Sequence, residues 1–160
     1  MIKTTILCIA MIFIQCLTPA SPQDAGREAA ALKVKKLARK LEKTVSERKE
    51  RWLPEKRQLA GTNIYIRWTS GKKALAITTD YEPTAEEASR VLQFSATMIS
   101  APHTTTKITG FGDEAYKVRF DEERQTILFR KDNMIVHVQA SNVADAETFA
   151  KLAADSLSQP

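Results

Sequence analysis

The fold is decided by the stretch Gly110-Phe111-Gly112-Asp113-Glu114-Ala115-Tyr116 and by the residues that follow it to position 140. Gly110 and Gly112 allow backbone φ values that other residues avoid, which predicts a tight turn. From Tyr116 onward, apolar residues alternate with polar ones, which is the period of a half-buried strand. We therefore interpret Gly110, Gly112, Asp113 and Tyr116 as a structural turn that sets the register of a compact sheet.

Short strands are predicted on both sides of this turn. Downstream, residues 115–120, 126–130 and 134–140 alternate and are separated by polar turns. Upstream, residues 104–109 are almost entirely β-branched and predict a further short strand. Residues 63–80 alternate on both sides of a Ser-Gly turn, which predicts a β-hairpin.

Three segments have helical periodicity. Residues 25–53 are rich in good helix formers and carry one narrow apolar stripe, which predicts a long helix. Thr84 opens a second helix with a capping-box pattern. Ser141 or Asn142 caps a third helix that runs to about Leu157.

Together these elements predict an α+β fold, because short hairpin links force antiparallel pairing. We expect an antiparallel sheet of five or six strands packed with helices and preceded by a long basic N-terminal helix. The predicted organisation is a helix over residues 25–53, a linker over 54–61 and an α+β domain over 62–158. The sheet face expected to pack on helices carries Ile64, Ile66, Trp68, Leu75, Ile77, Tyr116, Val118, Phe120, Ile127, Phe129, Met134, Val136 and Val138.

The second face of the predicted sheet is mixed and holds several cations. Clustered positive side chains focus potential, so this face is a candidate site for an anion. A solvated face with ordinary charges is the competing interpretation. In a third alternative the apolar stripe of the N-terminal helix docks here and covers the face. The candidate ligand-binding residues are Arg67, Lys117, Arg119, Arg130 and His137.

The N-terminus follows the pattern of an export signal. Lys3 precedes the apolar run 6–17, and small residues lead to a cleavage site after Ala20. Residues 1–20 are therefore predicted to be a signal peptide, and the protein is expected in the periplasm or outside the cell. Lipid attachment at Cys16 is the alternative, which the bulky Gln15 disfavours. Both cysteines lie in this segment, so no disulfide is expected in the exported chain.

The charge is concentrated at one end of the exported chain. Residues 24–57 hold twelve Lys/Arg and six Asp/Glu, whereas residues 61–160 hold eleven and thirteen. This basic helix favours contact with another envelope protein. Its stripe is narrow and lacks bulky residues, which disfavours the membrane surface as a partner. The export signal argues against nucleic acid as a partner.

The turn over residues 110–116, the segment Leu128-Phe129-Arg130-Lys131-Asp132-Asn133-Met134-Ile135-Val136 and the closing helix together carry a resemblance. The pattern resembles that of bacterial exported lipoproteins and sensor-type extracellular domains, in which a similar glycine turn precedes an Arg-Lys-Gly-Asn hairpin. The resemblance covers residues 64–157 and implies a ligand- or partner-binding module of the cell envelope. It implies no activity.

The sequence contains no diagnostic catalytic motif. Asp113 and Glu114 are adjacent, so as strand residues they point to opposite faces, and a turn role is favoured for Asp113. The two histidines lack a second ligand at a metal-binding spacing, and no metal or other cofactor is expected. We therefore expect a non-enzymatic secreted or periplasmic binding or interaction module. The alternative is a small-ligand binder or an enzyme that uses the basic sheet face.

Overall fold

The computed structural model describes residues 22–49, 51–100, 104–122 and 124–159. The predicted signal peptide and its cleavage site lie outside these residues. The described elements are α1 (Pro22–Ser46), β1 (Leu53–Ala60), β2 (Asn63–Ser70), β3 (Lys73–Tyr81), α2 (Ala85–Ser100), β4 (Thr104–Ile108), β5 (Glu114–Arg119), β6 (Gln125–Lys131), β7 (Met134–Ala140) and α3 (Val143–Ser158).

All seven strands belong to one antiparallel sheet with the spatial order β1-β2-β3-β7-β6-β5-β4. Two sequential meanders, β1 to β3 and β4 to β7, therefore meet where β3 pairs with β7 at the centre of the sheet. The α+β class is confirmed. The expected number of five or six strands is too low, since the described residues form seven.

The additional strand is β1, which occupies the residues predicted as a linker. All of its residues are exposed, so its sequence carries no buried and exposed alternation. It lies at an edge of the sheet and pairs with β2, with an irregularity between Pro54 and Lys56. Proline, charge and irregular pairing are typical of edge strands. Backbone pairing, and not burial of side chains, holds this strand in place.

Helices α1 and α3 pack together on one face of the sheet, here called the first face. The apolar stripe of α1 is buried there, and Leu37 and Leu41 are fully inaccessible to solvent. Arg48, just after α1, forms an ion pair with Asp145 near the start of α3 and stacks over Phe149. The basic helix is therefore part of the core. In one alternative from the sequence, this helix covered the second face of the sheet. In the structure it packs on the first face instead.

Helix α2 lies on the opposite face, here called the second face, and covers only part of it. Its buried residues Ala88 and Leu92 pack on Val118, Leu128 and Ile135 of strands β5, β6 and β7. Strands β1, β2 and β3 have no helix over this face among the described residues. The second face thus has a covered half and an open half.

Strand β5 has the opposite orientation to the one predicted. Tyr116, Val118 and Phe120 pack under α2 on the second face, while Ala115 joins the core of the first face. Strand β5 does alternate, but its apolar side chains face α2, because α2 is the helix that packs on this strand. In β6, by contrast, five successive residues from Gln125 are buried. Where helices cover both faces of a sheet, the pattern of apolar residues no longer distinguishes the faces.

Candidate functional site

The open half of the second face contains a shallow groove of about 210 Å³. Ala74 and Ala76 of β3 form its floor, and their short side chains leave room between the larger residues of the neighbouring strands. Cross-strand pairing places Ala76 between Arg67 of β2 and Gln139 of β7. The remaining lining residues are Tyr65, Arg124, Ala140 and Ser141.

Two arginines flank this groove, and each already has a carboxylate partner. Arg67 Nε lies 3.0 Å from Glu55 Oε2, and Arg124 Nε lies 2.6 Å from Asp121 Oδ2. The side chains of both pairs are between 42% and 66% exposed. Exposed ion pairs contribute little to stability. Asp121 also accepts a hydrogen bond of 2.6 Å from the backbone N–H of Arg124.

An aromatic side chain forms a further part of the groove wall. Tyr65 of β2 is half-buried, and the ammonium group of Lys56 lies 5.3 Å from the centroid of its ring. Lys56 comes from β1, so the edge strand contributes a cation to the open half. Tyrosine offers both an apolar ring and a hydroxyl group, which suits the wall of a binding groove.

His137 lies on the same face as Arg67, between Thr78 and Leu128 of the adjacent strands. Burial lowers the pKa of His137 below its ordinary value of 6.5, and the negative charge of Asp80 only partly opposes this. The imidazole is therefore mainly neutral at pH 7. His137 therefore does not supply the positive charge that was expected from the sequence at an anion site.

Arg130 also lies on the second face, but its guanidinium group serves the turn between β6 and β7. Its Nη1 lies 3.3 Å from Asp113 Oδ2 and donates to the carbonyl oxygen of Asp132 at 2.8 Å. Its side chain is only 15% exposed. A ligand in the groove therefore has no free access to this cation.

Lys117 and Arg119 lie on the first face. They share it with Ala115, and cross-strand pairing sets them opposite Ile127 and Gln125. The five residues proposed from the sequence thus do not converge. The predicted orientation of β5 was wrong for Lys117 and Arg119, and Arg130 is engaged at the β6–β7 turn. Arg124 was missed for a different reason. It lies in the turn between β5 and β6, where strand alternation gives no information about direction.

The glycine turn over residues 110–116 is tied to the β6–β7 hairpin. Asp113 accepts a hydrogen bond of 2.7 Å from the backbone N–H of Asp132 and one of 2.9 Å from Lys131 Nζ. Burial alone would raise the pKa of Asp113, but these bonds, together with the charges of Lys131 and Arg130, hold it below 3.8. The carboxylate joins two turns at one end of the sheet.

Glu114 connects the same turn to α2. It accepts hydrogen bonds from Ser89 Oγ at 2.6 Å, Tyr116 Oη at 2.9 Å and Gln93 Nε2 at 3.2 Å. Burial would raise the pKa of Glu114, but these three donors and the charge of Lys107 lower it below 4.5. These bonds position α2 on the sheet.

No protein-family model matches this chain, and neither a curated protein nor a solved structure matches it significantly. The resemblance to bacterial exported lipoproteins and sensor-type extracellular domains therefore stays a prediction. Within the described ranges, His, Cys, Asp and Glu side chains form no group of three or more that could hold a metal ion. None of the helices described is long and apolar enough to cross a membrane.

Proposed function

We propose that the protein is a non-enzymatic binding module whose open groove takes a small ligand with a carboxylate or phosphate group. The observation that carries this proposal is the placement of Arg67 and Arg124 at one groove, each paired with an exposed carboxylate. Guanidinium groups bind carboxylates and phosphates through two parallel hydrogen bonds. A ligand anion would replace Glu55 at Arg67 at little cost.

The size of the groove supports a small ligand. Its volume of about 210 Å³ lies below the usual range for drug-sized molecules. The floor of Ala74 and Ala76 accepts an apolar portion of the ligand, and the ring of Tyr65 forms a wall beside it. The polar ends of the ligand then meet the arginines and Gln139.

The functional groups at the groove support binding over turnover. Arginine stays protonated in proteins and so is a poor acid or base. The hydroxyl group of Ser141 accepts a hydrogen bond of 2.9 Å from the backbone N–H of Ala74, a structural contact between β3 and the end of β7. The alternative of an enzyme on this face would have to use the hydroxyl group of Tyr65 or Ser141 for proton transfer, because the groove lining described here includes no histidine or carboxylate.

The proposal includes export to the periplasm or the cell exterior. It is supported by the signal-like pattern of residues 1–20 and by the absence of cysteine from residues 21–160. Expression of the whole chain in a bacterial host tests this part. The protein should appear in the periplasmic fraction with a mass that corresponds to cleavage after Ala20, whereas an uncleaved cytoplasmic product would contradict it.

Thermal unfolding in the presence of inorganic phosphate, pyrophosphate and citrate tests the groove. At least one of these anions should raise the melting temperature in proportion to the logarithm of its concentration, since it binds only the folded state. Arg67→Gln and Arg124→Gln should each reduce this shift. Arg119→Gln is the matched control, because it removes the same charge from the first face. Equal responses of all three variants would contradict the proposal.

Glu55→Gln gives a second and opposite test of the same site. It removes the carboxylate that competes with the ligand for Arg67, so the affinity for the anion should rise by up to about fivefold. Isothermal titration calorimetry of the variant beside the wild type measures this change. Weaker binding in the variant would contradict the proposal that Glu55 competes with the ligand for Arg67.

A further inference from the structure

A basic ridge runs along the outward side of α1, defined here as Lys35, Lys36, Arg39 and Lys43. All four residues are exposed, whereas Leu37 and Leu41 on the opposite side of the helix are buried in the core. At about 1.5 Å per residue, the ridge extends over roughly 12 Å of helix. It is separate from the groove, because α1 covers the first face of the sheet and the groove lies on the second.

The charges of this ridge are largely unopposed within the described part of the chain. Lys43 has a weak partner in Glu47 at 3.8 Å, and both side chains are more than 60% exposed. Glu42, the nearest acid along α1, instead pairs with Arg57 of β1 at 2.8 Å. The positive potential of the ridge is therefore directed at solvent.

We infer that the basic ridge docks on an anionic phospholipid surface. This inference goes beyond the proposed function. Three of the four ridge residues are lysines, which are depleted in protein interfaces, whereas arginine is enriched there. A row of flexible ammonium groups on a straight helix fits many lipid headgroups equally well, because such a surface has diffuse charge and no fixed geometry.

The contact is electrostatic and does not involve insertion of the helix. The apolar stripe that an amphipathic helix would bury in lipid is occupied by the protein core, from Ala30 to Val45. From the sequence, this stripe was a candidate contact surface for the second face of the sheet or for a partner. In the structure it is buried in the core of the first face. In the docked orientation the groove on the second face points away from the lipid and stays open to its ligand.

Co-sedimentation with vesicles tests this inference, with the full chain and phosphatidylglycerol or phosphatidylcholine as the lipid. Binding to phosphatidylcholine measures any contribution of the apolar N-terminal run, and the charge-dependent part is the difference between the two lipids. The wild type should bind phosphatidylglycerol more strongly, and this excess should fall as salt is added.

The double variant Lys35→Gln/Lys36→Gln should lower the charge-dependent partition coefficient by about 25-fold, since each cation near an anionic surface contributes about fivefold. Lys72→Gln/Arg90→Gln is the matched control, because it removes two exposed cations from the β2–β3 turn and from α2. It should change partition by less than about threefold. Equal losses in both variants, or no excess binding to phosphatidylglycerol, overturn the inference. Binding of the wild type to polyglutamate but not to phosphatidylglycerol also overturns it and identifies an acidic protein as the partner.

Discussion

Gly112 lies against the backbone of Arg130, so closely that a Cβ atom at this position would stand 2.2 Å from the Arg130 carbonyl oxygen. The same carbonyl accepts a hydrogen bond of 2.7 Å from the backbone N–H of Asp113. Gly112 also has a φ of 62°. The turn before β5 is thus locked to the end of β6 at a point where only glycine fits.

Gly112→Ala should destabilise the protein by more than about 3 kcal/mol, since it combines backbone strain with a contact that requires the hairpin to move. Gly71→Ala is the matched control. Gly71 has a φ of 60°, but a Cβ there would meet nothing within 4 Å. It should cost only about 1 kcal/mol. Urea denaturation of both variants measures the difference. Equal losses of stability would show that backbone strain alone accounts for the need for glycine at position 112.

Removal of a buried side chain from α1 tests whether this helix belongs to the core. Leu41→Ala should lower the free energy of unfolding by about 3 kcal/mol, because it leaves a cavity between α1 and the sheet. Leu32→Ala, on the same helix but 57% exposed, should change it by less than about 0.5 kcal/mol. A small effect of both substitutions would favour a separable arm.

Deletion of the residues before Trp52 is a further test of whether α1 belongs to the core. If these residues formed a separable arm, the deletion would leave a domain that unfolds cooperatively. Because Leu37 and Leu41 are fully buried against the rest of the chain, the deletion should instead abolish cooperative unfolding.

The sequence predicted those features of the fold that have local causes. Alternation located the β2–β3 hairpin and the last strands, and the capping pattern located the start of α2, where Thr84 Oγ1 accepts from the backbone N–H of Glu87. Strand β1 has no such signal, because its pairing with β2 depends on backbone hydrogen bonds of the edge and buries none of its side chains.

The candidate site was less predictable than the fold, because it depends on which face each strand presents. Arg67 lies on the second face, as strand alternation predicted. Lys117 and Arg119 do not, because α2 covers β5 on the second face, so the apolar residues of β5 face this helix and its cations face the other side. Arg124 enters the groove from a turn, whose direction is set by the tertiary structure.

A buried hydroxyl group at the β2–β3 pairing offers a further prediction. Thr79 Oγ1 accepts from the backbone N–H of Ile64 at 3.0 Å and donates to the carbonyl oxygen of Thr62 at 2.8 Å. Thr79→Val should cost about 2 kcal/mol, because it leaves two buried backbone groups without partners. Thr78→Val, on the adjacent half-exposed position, is the control and should cost less than about 0.5 kcal/mol. Chemical denaturation measures both, and similar values would contradict a role for the hydroxyl group.

The carboxylate of Glu114 should make stability depend on pH in the acid range. Its folded pKa lies below the ordinary value of 4.5, so the carboxylate binds fewer protons in the folded state than in the unfolded state near this pH. The stabilisation is therefore fully present above pH 4.5 and is lost as the pH falls through the lower, folded pKa. Denaturation curves from about pH 3 to about pH 7 detect this loss.

Glu114→Gln should remove much of this dependence. At neutral pH the variant should be less stable than the wild type by about 2 kcal/mol, since hydrogen bonds to the charged carboxylate are lost or weakened. The difference should narrow as the pH falls below 4.5, where the wild type loses the same charge. Glu122→Gln, in the exposed β5–β6 turn, is the control and should change stability by less than about 0.5 kcal/mol. A constant difference between Glu114→Gln and the wild type across the whole range would show that packing of this side chain, and not its charge, holds α2 on the sheet.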